Sequence, residues 1–329
     1  MTKKRTRRIT SRVDVLITGA AGFIGAKLMQ RLKAQGLQVL GADVRAREDS
    51  VIAMDITSRD QVETAFKKHK PKRVVHLAAI VDDRGDPRLF TAVNVDGTRN
   101  VLNAAITGPL ERFVQVSSIV ALGFDPGLNA GADSPLVTTT GSPYFDTKAL
   151  SEQIVRSAQA EQGIPAVIIR PGDVYGPGSE PWVTRPIDMM RKRLPVLVDG
   201  GRGLMAHCWI DNLVDALVLA VTHPDAEGHI FQVHDGCDHT TYKRYFSQLA
   251  RVANAPKPKL SLPYQPALLL GKIFDEVAKR TSIQPPFSEA AVRFLSRRAT
   301  YSMENTRRIL GYTPAVGLDE GLAKLAPAL

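Results

Sequence analysis

Five short runs rich in β-branched residues recur along the first half of the 329-residue chain: "VDVLIT" (13–18), "LQVLGA" (37–42), "KRVVHLA" (72–78), "RFVQVS" (112–117) and "AVIIR" (166–170). Stretches long enough for a helix separate them. The runs are apolar almost throughout instead of alternating, which is the pattern of strands buried on both faces. Buried strands spaced by helices make a parallel sheet, so the fold class is α/β.

After "RPGDVYGPG" (170–178) the texture changes: prolines and glycines thicken and the regular alternation stops. "WIDNLVDALVLAV" (209–221) then reads as a capped amphipathic helix and "HIFQV" (229–233) as one more strand, with helices dominating from about 240. This gives a nucleotide-binding domain of residues 13–172 and 205–234. A smaller substrate-binding lobe follows from 173–204 and 235–329.

Charge sharpens the boundary at the start. The net charge is +10, yet "MTKKRTRRITSR" (1–12) holds six basic residues and no acid. We read it as a basic disordered tail without the apolar core of a secretory signal. It lacks interleaved aromatics, so sequence-specific nucleic-acid binding is not expected. Two cysteines, Cys208 and Cys237, imply no disulfide framework and fit a cytoplasmic protein. No apolar run is long enough to span a bilayer; "ALLLGKIF" (267–274) reads as helix that could wall a pocket or lie against lipid.

The first strand leads into "TGAAGFIG" (18–25), with Gly19, Gly22 and Gly25 three apart. Between a strand and a helix, such glycines let the backbone approach a pyrophosphate at the helix N-terminus, where free N–H groups favour an anion. The triplet alone also fits an ordinary strand-to-helix turn. Asp43 ends the second strand, near the offset at which a carboxylate grips both adenosine ribose hydroxyls; a 2′-phosphate would be repelled, favouring NAD over NADP. Arg45 and Arg47 could accommodate that phosphate. Asp55 could accept the adenine amino group or cap the helix that starts near Ser58.

"YFDTK" puts Tyr144 and Lys148 on one face of a helix. A phenol of pKa about 10 is almost fully protonated at neutral pH, and a nearby ammonium brings it toward the working range. Hydride transfer at a carbinol carbon needs such a proton partner. Ser117 and Ser118 close the fourth long strand, at the sheet edge where ligands bind; either hydroxyl there could hold the substrate oxygen.

On these residues the chain resembles the extended short-chain dehydrogenase/reductase superfamily, of the NAD-dependent epimerase/dehydratase type, over residues 13–325. Its marks are "TGAAGFIG", "VVHLAA" (74–79), "NVDGTRNVL" (94–102), "VSSIVALG" (116–123), "YFDTK", "RPGDVYGPG" and "WIDNLVDA". The resemblance implies a Rossmann doubly wound parallel sheet with a smaller C-terminal substrate lobe. It makes Ser118, Tyr144 and Lys148 the catalytic set, with Lys148 both holding the nicotinamide ribose and tuning Tyr144. The cofactor cleft it implies is lined by Gly19, Ala21, Gly22, Phe23, Ile24, Gly25, Asp43, Asp55 and Ile56. Leu77, Ala78, Ala79, Pro171 and Val174 complete it, and Asn94 orders the helix behind the site. A homodimer through residues 90–106 and 144–161 is also implied, as are an NAD cofactor and a small-molecule substrate.

Two chemistries divide the superfamily. Sugar-nucleotide epimerases and dehydratases usually carry asparagine where Asp173 stands, and a carboxylate there would repel a diphosphate by about 4 kcal/mol at 4 Å and an effective dielectric near 20. Arg202 is near enough in sequence to compensate. The segments "SSIVALG", "HCWIDNLVDALVLAV" and "PPFSEAAVRFLSRRATYSMENTRRILGYTPAVGLDEGL" (285–322) resemble the 3β-hydroxysteroid dehydrogenase/isomerase-like branch, which handles large apolar secondary alcohols and ketones. The expectation is an NAD-dependent oxidoreductase for such substrates. Its rivals are a redox-neutral sugar-nucleotide epimerase or dehydratase and a non-catalytic NAD sensor. "HIFQVHDGCDHTTY" gathers His229, His234, Cys237, Asp238 and His239, but matches no regular zinc spacing, and no metal is expected. His76 reads as a satisfied core histidine, and His207 as a candidate substrate contact.

Overall fold

In the computed structural model, which describes residues 13–46, 50–236, 239–281, 283 and 285–329, each of the five β-branched runs holds a strand. The strands are β1 (Val15–Thr18), β2 (Val39–Asp43), β3 (Val51–Ala53), β4 (Arg73–His76), β5 (Arg112–Val116), β6 (Ala166–Pro171), β7 (Asp173–Tyr175), β8 (Leu197–Val198), β9 (His207–Trp209), β10 (Ile230–Val233) and β11 (Ser261–Leu262). Seven form one sheet in the order β10-β6-β5-β4-β1-β2-β3, every neighbouring pair parallel. The chain starts at the centre, winds outward to β3, then returns to β4 and winds the other way. The expected doubly wound Rossmann sheet is present, with its switch point between β1 and β4, where such sheets bind ligands beyond their C-terminal ends.

Along β1 the side chains alternate between two cores. Val15 and Ile17 join one cluster with Leu28, Leu32, Leu213 and Leu217, while Leu16 joins another with Phe66, Leu102 and Val155. Both faces are therefore dry, which explains why the strands read as unbroken apolar runs. In chain order the helices before β10 are α1 (Phe23–Ala34), α2 (Arg59–His69), α3 (Pro87–Phe90), α4 (Gly97–Ile106), α5 (Pro143–Gln162), α6 (Arg185–Arg191) and α7 (Ile210–Thr222). A π turn, Thr91–Asp96, joins α3 to α4, and another, Glu180–Thr184, leads into α6.

Beyond β6 the short strands β7 and β9 pair with each other, as do β8 and β11. Helices α8 (Tyr242–Val252), α9 (Tyr264–Arg280), α10 (Glu289–Leu295), α11 (Glu304–Leu310) and α12 (Leu318–Leu325) complete the chain. No helix among the described residues is long and apolar enough to cross a membrane. The basic residues 1–12 lie outside the described residues, as do Arg47, Cys237 and Asp238.

Candidate active site

The glycine loop is as bare as its surroundings require. Gly19 has φ +70°, and a Cβ there would sit 2.8 Å from the Ala78 nitrogen, so the loop lies directly on the backbone after β4. A Cβ on Gly25 would come within 2.3 Å of the Gly19 carbonyl oxygen, closing the turn that this oxygen shares with the Gly22 N–H. Gly22 caps α1 with no side-chain hydrogen bond, leaving N–H groups of the first turn, Phe23 and Ile24 among them, free for an anion. The Phe23 ring packs beside Gly176 and Gly178 of the "YGPG" turn, and Val174 lies in β7 just before that turn.

Asp43 is buried at the end of β2. Its carboxylate accepts from the Ala21 N–H at 3.1 Å and the Arg45 N–H at 2.9 Å, so Asp43 and the glycine loop meet. Asp55 accepts from both the backbone N–H and the hydroxyl of Thr57, while Ser58 caps α2; the alternative of Asp55 as that cap does not hold. The Ile56 side chain is buried against Gly97. Leu77, Ala78 and Ala79 run along the loop beyond β4, and Pro171 ends β6 at the same edge of the sheet.

A chain of hydrogen bonds joins this loop to the tyrosine helix. The Thr18 hydroxyl takes the Ala78 N–H at 3.3 Å and donates to His76 Nδ1 at 2.7 Å. His76 Nε2 donates to Thr98 Oγ1 at 3.0 Å, whose own proton goes to the Asn94 carbonyl at 2.6 Å. This network assigns the proton to Nε2. Asn94, on the π turn, holds the Ile80 backbone with both ends of its amide and donates to Thr147 Oγ1 at 3.0 Å. Thr147 hydrogen-bonds within the first turn of α5, which carries Tyr144. Burial, reinforced by the charge of Lys148, pushes His76 down to about 3, so it stays neutral, as a satisfied core histidine should.

Tyr144 and Ser118 face one cleft. Burial pushes the phenol up to about 12, a hydrogen bond with Ser118 opposes this, and the buried charge of Asp173 adds to it. Lys148 turns its ammonium to the Val116 carbonyl, 2.6 Å away, and burial lowers it to about 8, against the pull of Glu152. The lowering influence on Tyr144 here thus comes from Ser118. Ser117 points away: its hydroxyl donates at 2.7 Å to Glu152, which is held in a fully buried pair by Arg170.

The cleft has a volume of about 230 Å³ and is lined mostly by apolar side chains. Its walls are Trp182, Met189, Val196, Phe246, Phe287 and Phe294, with Ala267 of α9 and Leu262 beside them. The expected wall from residues 267–274 is thus supplied by Ala267, while Leu268 and Tyr264 pack into a small core with Val198 and Val292. Arg185, at the mouth, is paired with Asp83, which also accepts from Ser288 at 2.6 Å.

Asp173 alters the argument drawn from its charge. Arg297, from beyond α10, forms a buried ion pair with it and also hydrogen-bonds Tyr242. Burial raises the Asp173 carboxyl above the usual range and the guanidinium opposes that rise. Net repulsion of a diphosphate is therefore not the operative effect; what counts is that the nearby cations are already engaged. Arg202 pairs with Asp199 on the surface and does not line the cleft. Nor does His207, which is buried between Asp235 and Thr240, each 3.2 Å from a ring nitrogen. His234 bonds the Tyr301 carbonyl, and among the described residues no three metal-binding side chains converge.

A family model described as the NAD dependent epimerase/dehydratase family matches residues 15–233, from β1 to the end of β10. The chain belongs to this family. With it the protein joins the NAD-dependent dehydrogenases and epimerases of the extended short-chain dehydrogenase/reductase type. It is 29% identical to a UDP-glucose 4-epimerase of Vibrio cholerae over 334 residues, covering 96% of this chain and 95% of that one. It is 26% identical to a 3-beta-hydroxysteroid dehydrogenase of Mycolicibacterium neoaurum over 337 residues, covering 95% and 90%. The crystal structure of a Thermotoga maritima UDP-glucose 4-epimerase superposes with a TM-score of 0.76 at 21% identity over 95% of this chain and 97% of that one, a likeness of fold.

Within this family the glycine loop, Asp43 and the bared N-terminus of α1 form a cradle that fits a dinucleotide. Sequence reasoning did not find Arg297, Asp83 or Ser288. Their partners lie more than a hundred residues away, and no local spacing announces them.

Proposed function

We propose that this protein is an NAD-dependent oxidoreductase for a large apolar secondary alcohol or ketone, close to the 3β-hydroxysteroid dehydrogenase-like branch. One observation carries the reading: Ser118 and Tyr144 stand in an apolar cleft in which Arg185 is the one cation among the described lining residues, and it is paired with Asp83. A diphosphate needs free cations or open N–H groups, and a hydrocarbon skeleton needs the walls found here.

NAD, when bound, gives or takes the hydride. Ser118 would hold the substrate oxygen by hydrogen bond, and Tyr144 Oη would deliver a proton to that oxygen in reduction or remove it in oxidation. Lys148 would reach the nicotinamide ribose and, once beside the phenol, stabilise its charged form. The Gly19–Gly25 loop would cradle the pyrophosphate. Asp43 would accept from both ribose hydroxyls and exclude a 2′-phosphate, which favours NAD over NADP; Arg45 lies 3.5 Å from the same carboxylate.

In this reading residues 13–172 and 205–234 hold the cofactor, and 173–204 with 235–329 close over the substrate. The protein would work in the cytoplasm as a homodimer through residues 90–106 and 144–161, where Val95, Leu102, Leu150 and Ile154 line a surface groove.

Absorbance at 340 nm with NAD tests the reading against a panel of apolar secondary alcohols, 3β-hydroxysterols included, beside UDP-sugars. NADH formation with the apolar alcohols alone is expected. A UDP-sugar converted to its epimer without net NADH would establish the redox-neutral rival, which the Vibrio relative keeps in view. NAD binding with no conversion of either class would establish the sensor.

A further inference from the structure

Helix α9 is long and little buried: of its 17 residues only Ala267 and Gly271 are buried. Leu269 and Ile273, four apart and so on one face, are 62% and 49% exposed. Leu260 just before the helix and Ile283 just after it are 56% and 62% exposed. Of the ten exposed large hydrophobic side chains among the described residues, four therefore fall between 260 and 283. Single exposed leucines need no explanation, whereas a cluster on one element marks an interaction surface.

The charges around the stripe indicate which kind. Lys257, Lys259, Lys272, Lys279 and Arg280 are all exposed. The acids in the same stretch are Asp275 and Glu276, which leaves an excess of three positive charges over 257–283. Asp275 is occupied by Arg84 and by the Glu289 N–H, and Glu276 is bridged by Lys279 and Arg280. Leucine and isoleucine on one face with lysine and arginine alongside is the composition of a helix that lies in a lipid headgroup layer. A protein partner would instead be met by exposed aromatic anchors; Tyr264 and Phe274 are half-buried, Phe274 against Phe287.

The opposite side of the same helix is the cleft wall. Ala267 lines the cleft, as do Leu262 before the helix and Pro286 and Phe287 after it. Arg84 ties the loop after β4 to Asp275 and to the Pro285 carbonyl, and in that loop Val81 is both a cleft residue and 57% exposed. The rim of the cleft and the outer stripe of α9 are thus parts of one packed unit.

We propose that the outer face of α9 rests on an anionic phospholipid surface, from which the cleft takes its apolar substrate. This rests on the apolar-substrate reading above, because a molecule poorly soluble in water is concentrated in the bilayer. Lys272 and Lys279 meet the headgroups, while Leu269 and Ile273 enter the acyl boundary.

Flotation of the full chain with vesicles tests the surface without any turnover. With phosphatidylglycerol vesicles at low salt the protein floats; with phosphatidylcholine, or in high salt, it stays behind. Leu269→Asp/Ile273→Asp and, separately, Lys272→Glu/Lys279→Glu each lower partitioning by about tenfold or more while leaving the melting temperature unchanged. With a long-chain ketone presented in vesicles, the first variant raises KM, and with a short soluble ketone it keeps wild-type kcat.

Wild-type protein that does not float with phosphatidylglycerol overturns the proposal. So does undiminished flotation of the Leu269→Asp/Ile273→Asp variant, which would assign binding to residues 1–12 or another face. Self-association that depends on Leu269 without flotation would make a second copy the occupant and equally overturn it. Flotation as described, with no apolar ketone reduced, would instead remove the oxidoreductase reading and leave the lipid surface standing.

Discussion

Asp173 at the start of β7 and Arg297 beyond α10 form a buried ion pair against the apolar cleft, although 124 residues separate them. The pair settles two things at once. It ties the segment after α10 to Asp173, which lines the cleft, with the guanidinium 3.7 Å above the Phe294 ring, and it offsets the charge of that carboxylate.

Removing one partner alone leaves a buried charge without compensation. Arg297→Met should cost about 3–5 kcal/mol of stability by urea unfolding, and the double variant Arg297→Met/Asp173→Asn should recover a large part of that loss. If the single and double variants unfolded alike, the pair would not be the source of the cost.

Glycine at position 25 is required by contact. A methyl there would stand 2.3 Å from the Gly19 carbonyl oxygen, so Gly25→Ala must open the turn. About 1–3 kcal/mol of stability should be lost, and NAD affinity, measured by nicotinamide-quenched tryptophan fluorescence, should fall with it. Wild-type affinity in this variant would remove the loop from the cofactor site.

His76 gives an acid-side signature. Its folded pKa of about 3 lies below the unfolded value near 6.5, so below pH 6.5 the unfolded chain takes up a proton that the folded chain refuses. Its contribution is fully present above pH 6.5 and is lost as pH falls toward 3, at up to about 1.4 kcal/mol per pH unit. Unfolding free energies between pH 7 and 5 should therefore decline more steeply in wild type than in His76→Gln. Parallel curves would contradict the assignment.

Asp43 should set the cofactor preference. Asp43→Ser removes the charge that would repel a 2′-phosphate and leaves Arg45 free of its partner. The ratio of kcat/KM with NAD to that with NADP should drop by about tenfold or more, since the lost discrimination is that of a close charge pair. An unchanged ratio would place the determinant elsewhere.

Much of this was legible in the chain because it is local. The apolar runs of the strands, the glycine triplet, Asp43 at a strand end and the four-residue spacing of Tyr144 and Lys148 each depend on neighbours in sequence. Even the buried neutrality of His76 follows from its place in "KRVVHLA". The charge argument from Asp173 overstated the repulsion because the compensating Arg297 arrives from a distant segment. His207 looked available for substrate and is instead fixed by Asp235 and Thr240. The named cleft walls come from segments spread between residues 182 and 294, so only the folded chain shows that they line one apolar space.

The most direct test of the central claim follows a labelled hydride. Protein is incubated with NADH deuterated at the transferable C4 position and an apolar cyclic ketone, and the alcohol is examined by mass spectrometry, with Tyr144→Phe beside it. The account requires one deuterium on the carbinol carbon, stoichiometric loss of NADH, and loss of nearly all turnover in the variant with NADH binding retained. Full turnover in Tyr144→Phe would contradict the mechanism. No deuterated alcohol, with UDP-glucose epimerised by the same protein, would contradict the function.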